Sequence, residues 1–338
     1  MRRDVLYART DEGAELAVID VTNPAFAVSA TDAELCAMAE LYIREAAQQK
    51  EIPAALREAL RSSMLGRGLM AAAGTYLDGI STYLLKLGPE NLGESASPID
   101  KRIAASFPAF TARLRLQDMA RLLAEGLAVT AAAEPLRPIL LVNIGGGPAS
   151  DSWNALINLS PRVRVEADAE KLGLMVGRRV VIAVMDLDSC GPAFGARVIE
   201  ALRAPMAPLD DLDVDLRHFR YEWSEADRLR DRLKELQASE AACGISSEGG
   251  LFEYGSDEEI VANLGVLHAQ TAGDAFVVGS VTRDGGPVRA SLVASRVCTR
   301  PRTIEGFRSL AGQAGWTVQE VIERPFSFHV RMVKGEPD

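Results

Sequence analysis

Leu140-Leu141-Val142-Asn143-Ile144-Gly145-Gly146-Gly147-Pro148-Ala149-Ser150-Asp151 is the stretch that decides the fold. An apolar run of strand length breaks into three glycines, and Ser150 or Asp151 then offers a helix start. A ligand lying across a strand end must approach the backbone closely, which side chains at 145–147 would block. The helix N-terminus beyond would present free N–H groups to a carboxylate or phosphate. A tight structural turn needs glycine as well, so the motif alone leaves both readings open. The dinucleotide spacing G-x-G-x-x-G is not met, because Ser150 occupies its last position.

Outward from this turn, apolar runs alternate with helical stretches. Ile139–Ile144, Val180–Met185 and Ala275–Val281 are strong strand candidates, and Leu212–Phe219 and Glu240–Ile245 weaker ones. Such an alternation predicts an α/β fold with a parallel sheet covered on both faces. Ile304–Gly315 carries a helical pattern, and Trp316–Ile322 and Ser327–Val333 form two further strands joined near Arg324-Pro325. Upstream, Val5–Ala8 and Leu16–Ile19 flank a turn at Asp11-Glu12-Gly13, a hairpin pattern. Four helical runs follow: one from Thr31-Asp32 to Ile52-Pro53, one from Leu56, one carrying Tyr76, Ile80, Tyr83 and Leu84, and one over about 109–128. Glu134-Pro135 and Arg137-Pro138 make a stiff junction. The division predicted is a mainly helical unit at 1–135, followed by an α/β unit at 136–338.

Composition bounds the function. The 338 residues hold 48% hydrophobic and 25% charged residues, with a formal net charge of -10. An acidic chain repels phosphate backbones, which argues against a nucleic-acid partner. The densest basic stretch, Arg113 to Arg121, has helical spacing and is expected to be a solvated helix face. Cys36, Cys190, Cys243 and Cys298 are scattered and form no cluster with His218, His268 or His329, so neither a zinc site nor a disulfide framework is expected. No apolar signal core or membrane span is evident, and a cytoplasmic protein with no membrane partner is the expectation.

Taken together, the glycine turn and the segments after it resemble the class I S-adenosylmethionine (SAM)-dependent methyltransferases. Their first motif is acidic-x-G-x-G-x-G; Asn143, Gly145 and Gly147 align with it, with Ala149 at the last glycine. The helix, Ala-Gly-aromatic turn and antiparallel pair at 304–333 also look like that family's closing unit. The resemblance covers about 136–335 and implies a Rossmann-like, seven-stranded, mostly parallel sheet with an antiparallel C-terminal strand. It implies SAM as cofactor, held by Asn143, Gly145, Gly146, Gly147 and Ser150. Asp186, with Asp188 in reserve, would take the ribose hydroxyls; Tyr221 or Trp223 would wall the adenine. Ser246 would face the methionine end.

The methyl acceptor is expected to be a small molecule or peptide, contacted by Tyr254 and by Tyr76 and Tyr83 from the helical front. Glu248, in the polar, glycine-rich segment 243–255, is a candidate general base, with His218 another and His268 a third. The bland alternative for Glu248 is a surface loop before a helix capped at Ser256, with Glu259 at capping-box spacing. The helical front would cover the acceptor site or form a homodimer. Two rivals stay open: an NAD-dependent oxidoreductase, and a non-catalytic SAM-binding or scaffold protein, the latter because Asn143 replaces the acidic residue.

Overall fold

The computed structural model describes residues 4–48, 53–72, 76–160, 175 and 177–335. Two short strands, β1 (Tyr7–Arg9) and β2 (Glu15–Ala17), pair as the expected hairpin. The central sheet is built around β3 (Ile139–Ile144), which is buried at every position. β3 pairs in parallel with β4 (Arg179–Asp186) on one side and with β6 (Ala242–Ser247) on the other. β5 (Asp213–Arg220) extends the sheet beyond β4, and β7 (Phe276–Thr282) extends it beyond β6. β9 (Ser327–Lys334) then lies antiparallel between β7 and β8 (Trp316–Glu323), giving the order β5-β4-β3-β6-β7-β9-β8. Strand order reverses beside β3, and ligands bind at such a switch point in open α/β sheets. The fold is the Rossmann-like one expected, and each strand lies within two residues of its sequence-based position.

Alternation along the strands explains why helices cover both faces. Ile139 and Leu141 of β3, with Val180, Ile182 and Val184 of β4, point into one hydrophobic cluster. Leu140, Val142 and Ile144, with Ala183 and Met185, point into the other. The period of two in side-chain direction sends successive apolar residues to opposite faces.

The first cluster also takes Val5, Leu16 and Ile19 from the hairpin and Leu84 and Leu87 from the front. One apolar core therefore runs through both the front of the chain and the sheet. In chain order the front helices are α1 (Asp32–Gln48), α2 (Ala54–Ser62), α3 (Met64–Ala71), α4 (Gly79–Leu87), α5 (Pro98–Ala104) and α6 (Phe107–Ala133). α6 has 27 residues, about 40 Å at the helical rise, and lies across β6, β7 and β9. It comes close because Gly126 lets the Phe276 ring in; a Cβ there would sit 2.4 Å from the ring.

Some sequence expectations shift. The run from Leu56 breaks in two at Ser63, whose hydroxyl accepts from Gly66 N–H and caps α3. α5 was not foreseen; a reciprocal Ser97–Asp100 capping box starts it. The basic stretch is not simply a solvated face, since Arg115 is drawn into the interior by two carboxylates. Ile52, expected to end the first helix, lies outside the described residues. So do 161–174 and 176, between α7 (Ser150–Asn158) and β4.

Tyr83, expected to contact an acceptor, is instead a pin for the hairpin. It is buried among Trp153 and Phe194, accepts from Ile19 N–H at 3.0 Å and donates to the Ala17 carbonyl at 2.6 Å. Tyr83→Phe leaves both buried backbone groups unpaired, at a cost of roughly 1–3 kcal/mol. The expected result is a lower urea midpoint with an unchanged slope; an unchanged midpoint would remove the pinning role.

Candidate ligand cavity

A cavity of about 420 Å³ opens at the carboxyl ends of β3, β4, β5 and β6, a volume in the usual range for small-molecule sites. The glycine turn forms part of its lining. Gly145 and Gly147 have φ of +67° and +56°, conformations that resist a side chain. Gly147 is also in close backbone contact with the front of the chain. A Cβ on Gly79 would lie 2.8 Å from the Gly191 Cα and 3.1 Å from the Gly147 Cα. The N-terminus of α4 is held there by Asp188, whose Oδ2 accepts from Gly79 N–H and Gly191 N–H, each at 3.0 Å. The exposed way along the turn therefore runs past Gly145 and Gly146, with Gly147 covered.

Asp186 ends β4 at the cavity wall. Its two carboxylate oxygens accept from Gly147 N–H and Asp188 N–H, each at 2.9 Å, and each keeps a further lone pair. Burial pushes its carboxyl up, against the two N–H donors. Trp223 and Tyr221 follow β5; the Trp223 ring lies over Gly145, and the Tyr221 hydroxyl donates to Asn263. Tyr76 bridges the two lips of the opening, edge-on to Trp223 at 5.4 Å and to Tyr254 at 5.0 Å. The sequence thus placed Gly145, Gly146, Gly147, Asp186, Asp188, Tyr221, Trp223, Tyr254, Tyr76 and Glu248 in one cavity.

Other candidates are positioned differently. Asn143 and Ser246 lie beneath the turn, fully buried, with Asn143 Nδ2 donating to Asp151 Oδ1 at 2.6 Å and to Ser246 Oγ at 3.1 Å. The Asn143 Oδ1 and Asp151 Oδ2 have no hydrogen-bond partner. Ser150 is buried in the first turn of α7, where its carbonyl accepts from Asn154. His218 lies on β5 with its Nε2 2.9 Å from the Asp186 carbonyl, outside the cavity wall. His268 stacks edge-on to Trp316 near the far end of the sheet.

Glu248 meets the cavity but is no base. Burial alone would raise its carboxyl; Lys86 and then Arg115 overcome that and hold it at about 2. Its Oε2 is bound by Lys86 and its Oε1 by Arg115 Nε at 2.7 Å, with Glu248 and Lys86 both almost fully buried. Arg115 Nη1 also reaches Glu253 at 3.2 Å, and Glu253 accepts from Ser280. A carboxylate so tightly paired has little affinity for a proton at neutral pH. Lys86, Arg115 and Glu253 were not singled out in the sequence; each is an ordinary charge on a helix, with no local motif to mark it.

The same cavity has an apolar chamber side lined by Phe107, Thr111, Val288, Leu292, Phe326 and Ser327. These come from α6, from α12 (Gly286–Ser295) and from the start of β9. In the same chain order α7 is followed by α8 (Cys190–Leu202), α9 (Ala226–Glu235), α10 (Leu251–Tyr254) and α11 (Asp257–Gln270), and α12 by α13 (Ile304–Gln313).

No family model matches the chain, and no curated protein is similar to it in sequence. Solved structures resemble it in their coordinates at low sequence identity. A possible exported protein from Bordetella parapertussis is 18% identical with a TM-score of 0.55, over 91% of this chain and 98% of that one. The trans-methyltransferase CalH, in complex with S-adenosylhomocysteine, is 12% identical with a TM-score of 0.45, over 99% and 100%. The 1,6-didemethyltoxoflavin-N1-methyltransferase of Burkholderia thailandensis, also with S-adenosylhomocysteine bound, is 14% identical with a TM-score of 0.41, over 98% and 100%. At these identities the likeness to the Bordetella protein is one of fold.

Asp151 gives the turn a measurable pH signature. Burial, reinforced by the charge of Glu248, raises its carboxyl to about 6, against about 3.9 in an unfolded chain. A raised folded value means that the stabilisation is fully present below about pH 4 and lost as pH rises through about 6. Asp151→Asn removes the need to bury a charge and keeps an acceptor for Asn143. It should stabilise the protein by on the order of 2 kcal/mol near pH 7.5 and by little near pH 4. Urea unfolding at the two pH values checks this; equal destabilisation at both would show that the carboxylate itself is required.

Proposed function

We propose that the chain is a SAM-dependent methyltransferase acting on a small-molecule or peptide acceptor. The observation that carries this reading is the sign of the charge around the glycine turn. Among the described residues, six carboxylates line the cavity, Asp78, Asp186, Asp188, Glu222, Glu248 and Glu253, against two cations, Lys86 and Arg115. Both cations are already paired with Glu248 or Glu253. A nicotinamide dinucleotide would bring its pyrophosphate into this negative field, where the described lining offers no unpaired cation to meet it. SAM brings a sulfonium and an ammonium, which the same field attracts.

The residues present fit that cofactor. Gly145 and Gly146 allow close backbone approach, and Asp186 keeps lone pairs for two ribose hydroxyls. Trp223 and Tyr221 offer an aromatic wall for a purine. Asn143 and Ser246 support the turn from below, and the unpartnered Asn143 Oδ1 is a spare acceptor under Gly146. When bound, the cofactor supplies an already activated methyl group, and the chain's task is to align the acceptor and exclude water. The chamber of Phe107, Phe326, Val288 and Leu292 suits an acceptor with an apolar body.

In this reading the helical front, 1–135, serves as the acceptor's cover, with α4 and Tyr76 at the mouth. Among the described residues, no helix is long and apolar enough to cross a membrane. All four cysteines are free, which suits a reducing cytoplasm.

Calorimetric titration with S-adenosylhomocysteine, with NAD as control, tests the proposal. Binding is expected for S-adenosylhomocysteine alone, weakened about 10- to 100-fold by Asp186→Ala. Binding of NAD in its place would sink the reading.

A further inference from the structure

At the apolar end of the cavity neither of the two expected bases serves the proposed methyl transfer, since Glu248 is neutralised by its cations and His218 lies elsewhere. A chain of three side chains ends there. Ser327 lines the chamber, half-buried, and its Oγ lies 2.9 Å from His329 Nε2. His329 Nδ1 lies 2.9 Å from Asp118 Oδ2. Ser327 and His329 are two residues apart on β9, so their side chains share a face. That face meets α6, which carries Asp118. His329 is 1% exposed, whereas Ser327 lines the cavity.

Asp118 is fixed in turn by Arg324, whose Nε and Nη2 reach its two oxygens at 2.9 Å each. Burial would raise the Asp118 carboxyl, but the His329 and Arg324 hydrogen bonds bring it to about 2, so it is an acceptor only. The histidine nitrogen facing it is then the donor, and in the neutral imidazole that tautomer leaves the Nε2 lone pair for the Ser327 hydroxyl. Because Arg324 offsets the carboxylate's charge, Asp118 acts mainly by fixing this tautomer and the ring's orientation.

From this geometry we infer that Ser327, His329 and Asp118 form a proton relay whose Ser327 hydroxyl takes the proton of the methyl acceptor. The inference rests on the methyltransferase reading and deepens it. It assigns the acceptor to molecules whose attacking atom bears a weakly acidic hydrogen, an O–H or N–H on a compact apolar frame. When bound, the cofactor would supply the methyl group, its methyl–sulfur bonding pair returning to sulfur as the acceptor atom's pair forms the new bond. The acceptor's proton passes to Ser327 Oγ while Ser327 hands its own to His329 Nε2. The resulting imidazolium stays hydrogen-bonded to Asp118. Ser327 is the catalytic residue in this scheme; His329 and Asp118 are positioning residues that act through it.

The test uses the full chain labelled with ¹⁵N-histidine, with and without S-adenosylhomocysteine. In the wild type, His329 is expected to carry its proton on Nδ1 with Nε2 bare, and Asp118→Asn should abolish that preference. Buried Asp118 and His329 variants can fail to fold, so Ser327→Ala is the second probe. It should shift the His329 Nε2 resonance and leave S-adenosylhomocysteine affinity within about twofold. It should also lower transfer of labelled methyl groups into the small-molecule fraction of a cell extract about 100-fold, the usual range for acid–base assistance. A proton found on Nε2, or a Ser327→Ala protein transferring at the wild-type rate, overturns the relay. Wild-type protein that does not bind S-adenosylhomocysteine overturns the methyltransferase reading instead, a result the histidine spectrum reports separately.

Discussion

Lys86 and Glu248 lie 162 residues apart in sequence, with side chains 3% and 2% exposed, and they form one ion pair. Neither charge can stay buried alone: stripping one partner from such a pair costs about 3–5 kcal/mol. Arg115 extends the constraint by bridging Glu248 to Glu253. The helices α4 and α6 are thereby tied to the loop after β6, and the cavity acquires a fixed wall. The field of this cluster also reaches under the glycine turn, where Glu248 raises the Asp151 carboxyl and Lys86 lowers it. Front helices, ligand turn and chamber are thus coupled through four charged side chains.

What the sequence revealed and what it hid divide along the range of the interactions. Strand alternation, the glycine turn and the acid at the end of β4 are local patterns, legible because side-chain period and backbone freedom act within a few residues. The Ser256–Glu259 capping box was readable for the same reason. The Ser97–Asp100 box was equally local, and its S-x-x-D spacing was the signal that would have found α5. Glu248 was found by its glycine-rich setting, but its role depends on cations 162 and 133 residues upstream, which no local pattern announces. Tyr83 looked like a cavity residue by helical spacing and became a hairpin pin because its helix face meets Ile19 and Trp153. His329 forms no cluster with the cysteines and carries no further local signal, because Asp118, its partner, lies 211 residues away.

The contact among Gly79, Gly147 and Gly191 shows how closely the front of the chain is fitted to the sheet. Three backbones from three segments meet without an intervening side chain, under a carboxylate, Asp188, that accepts N–H groups from two of them. Such a junction transmits displacement directly: a shift of α4 moves the glycine turn, because nothing compressible separates them. The opening beside Tyr76 and the ligand turn are therefore mechanically one unit.

β9 sits between β7 and β8 although β8 precedes it in the chain. β8 has no partner in the sheet until β9 arrives, so the order of assembly cannot follow the order of synthesis. Until then β7 presents an open edge of backbone donors and acceptors beside buried apolar faces, the kind of edge that captures strands from other molecules. The segment that closes this edge also brings Ser327 to the cavity, with His329 buried behind it. Closing the sheet edge and completing the cavity wall thus depend on the same strand, and a molecule that fails to place it loses both.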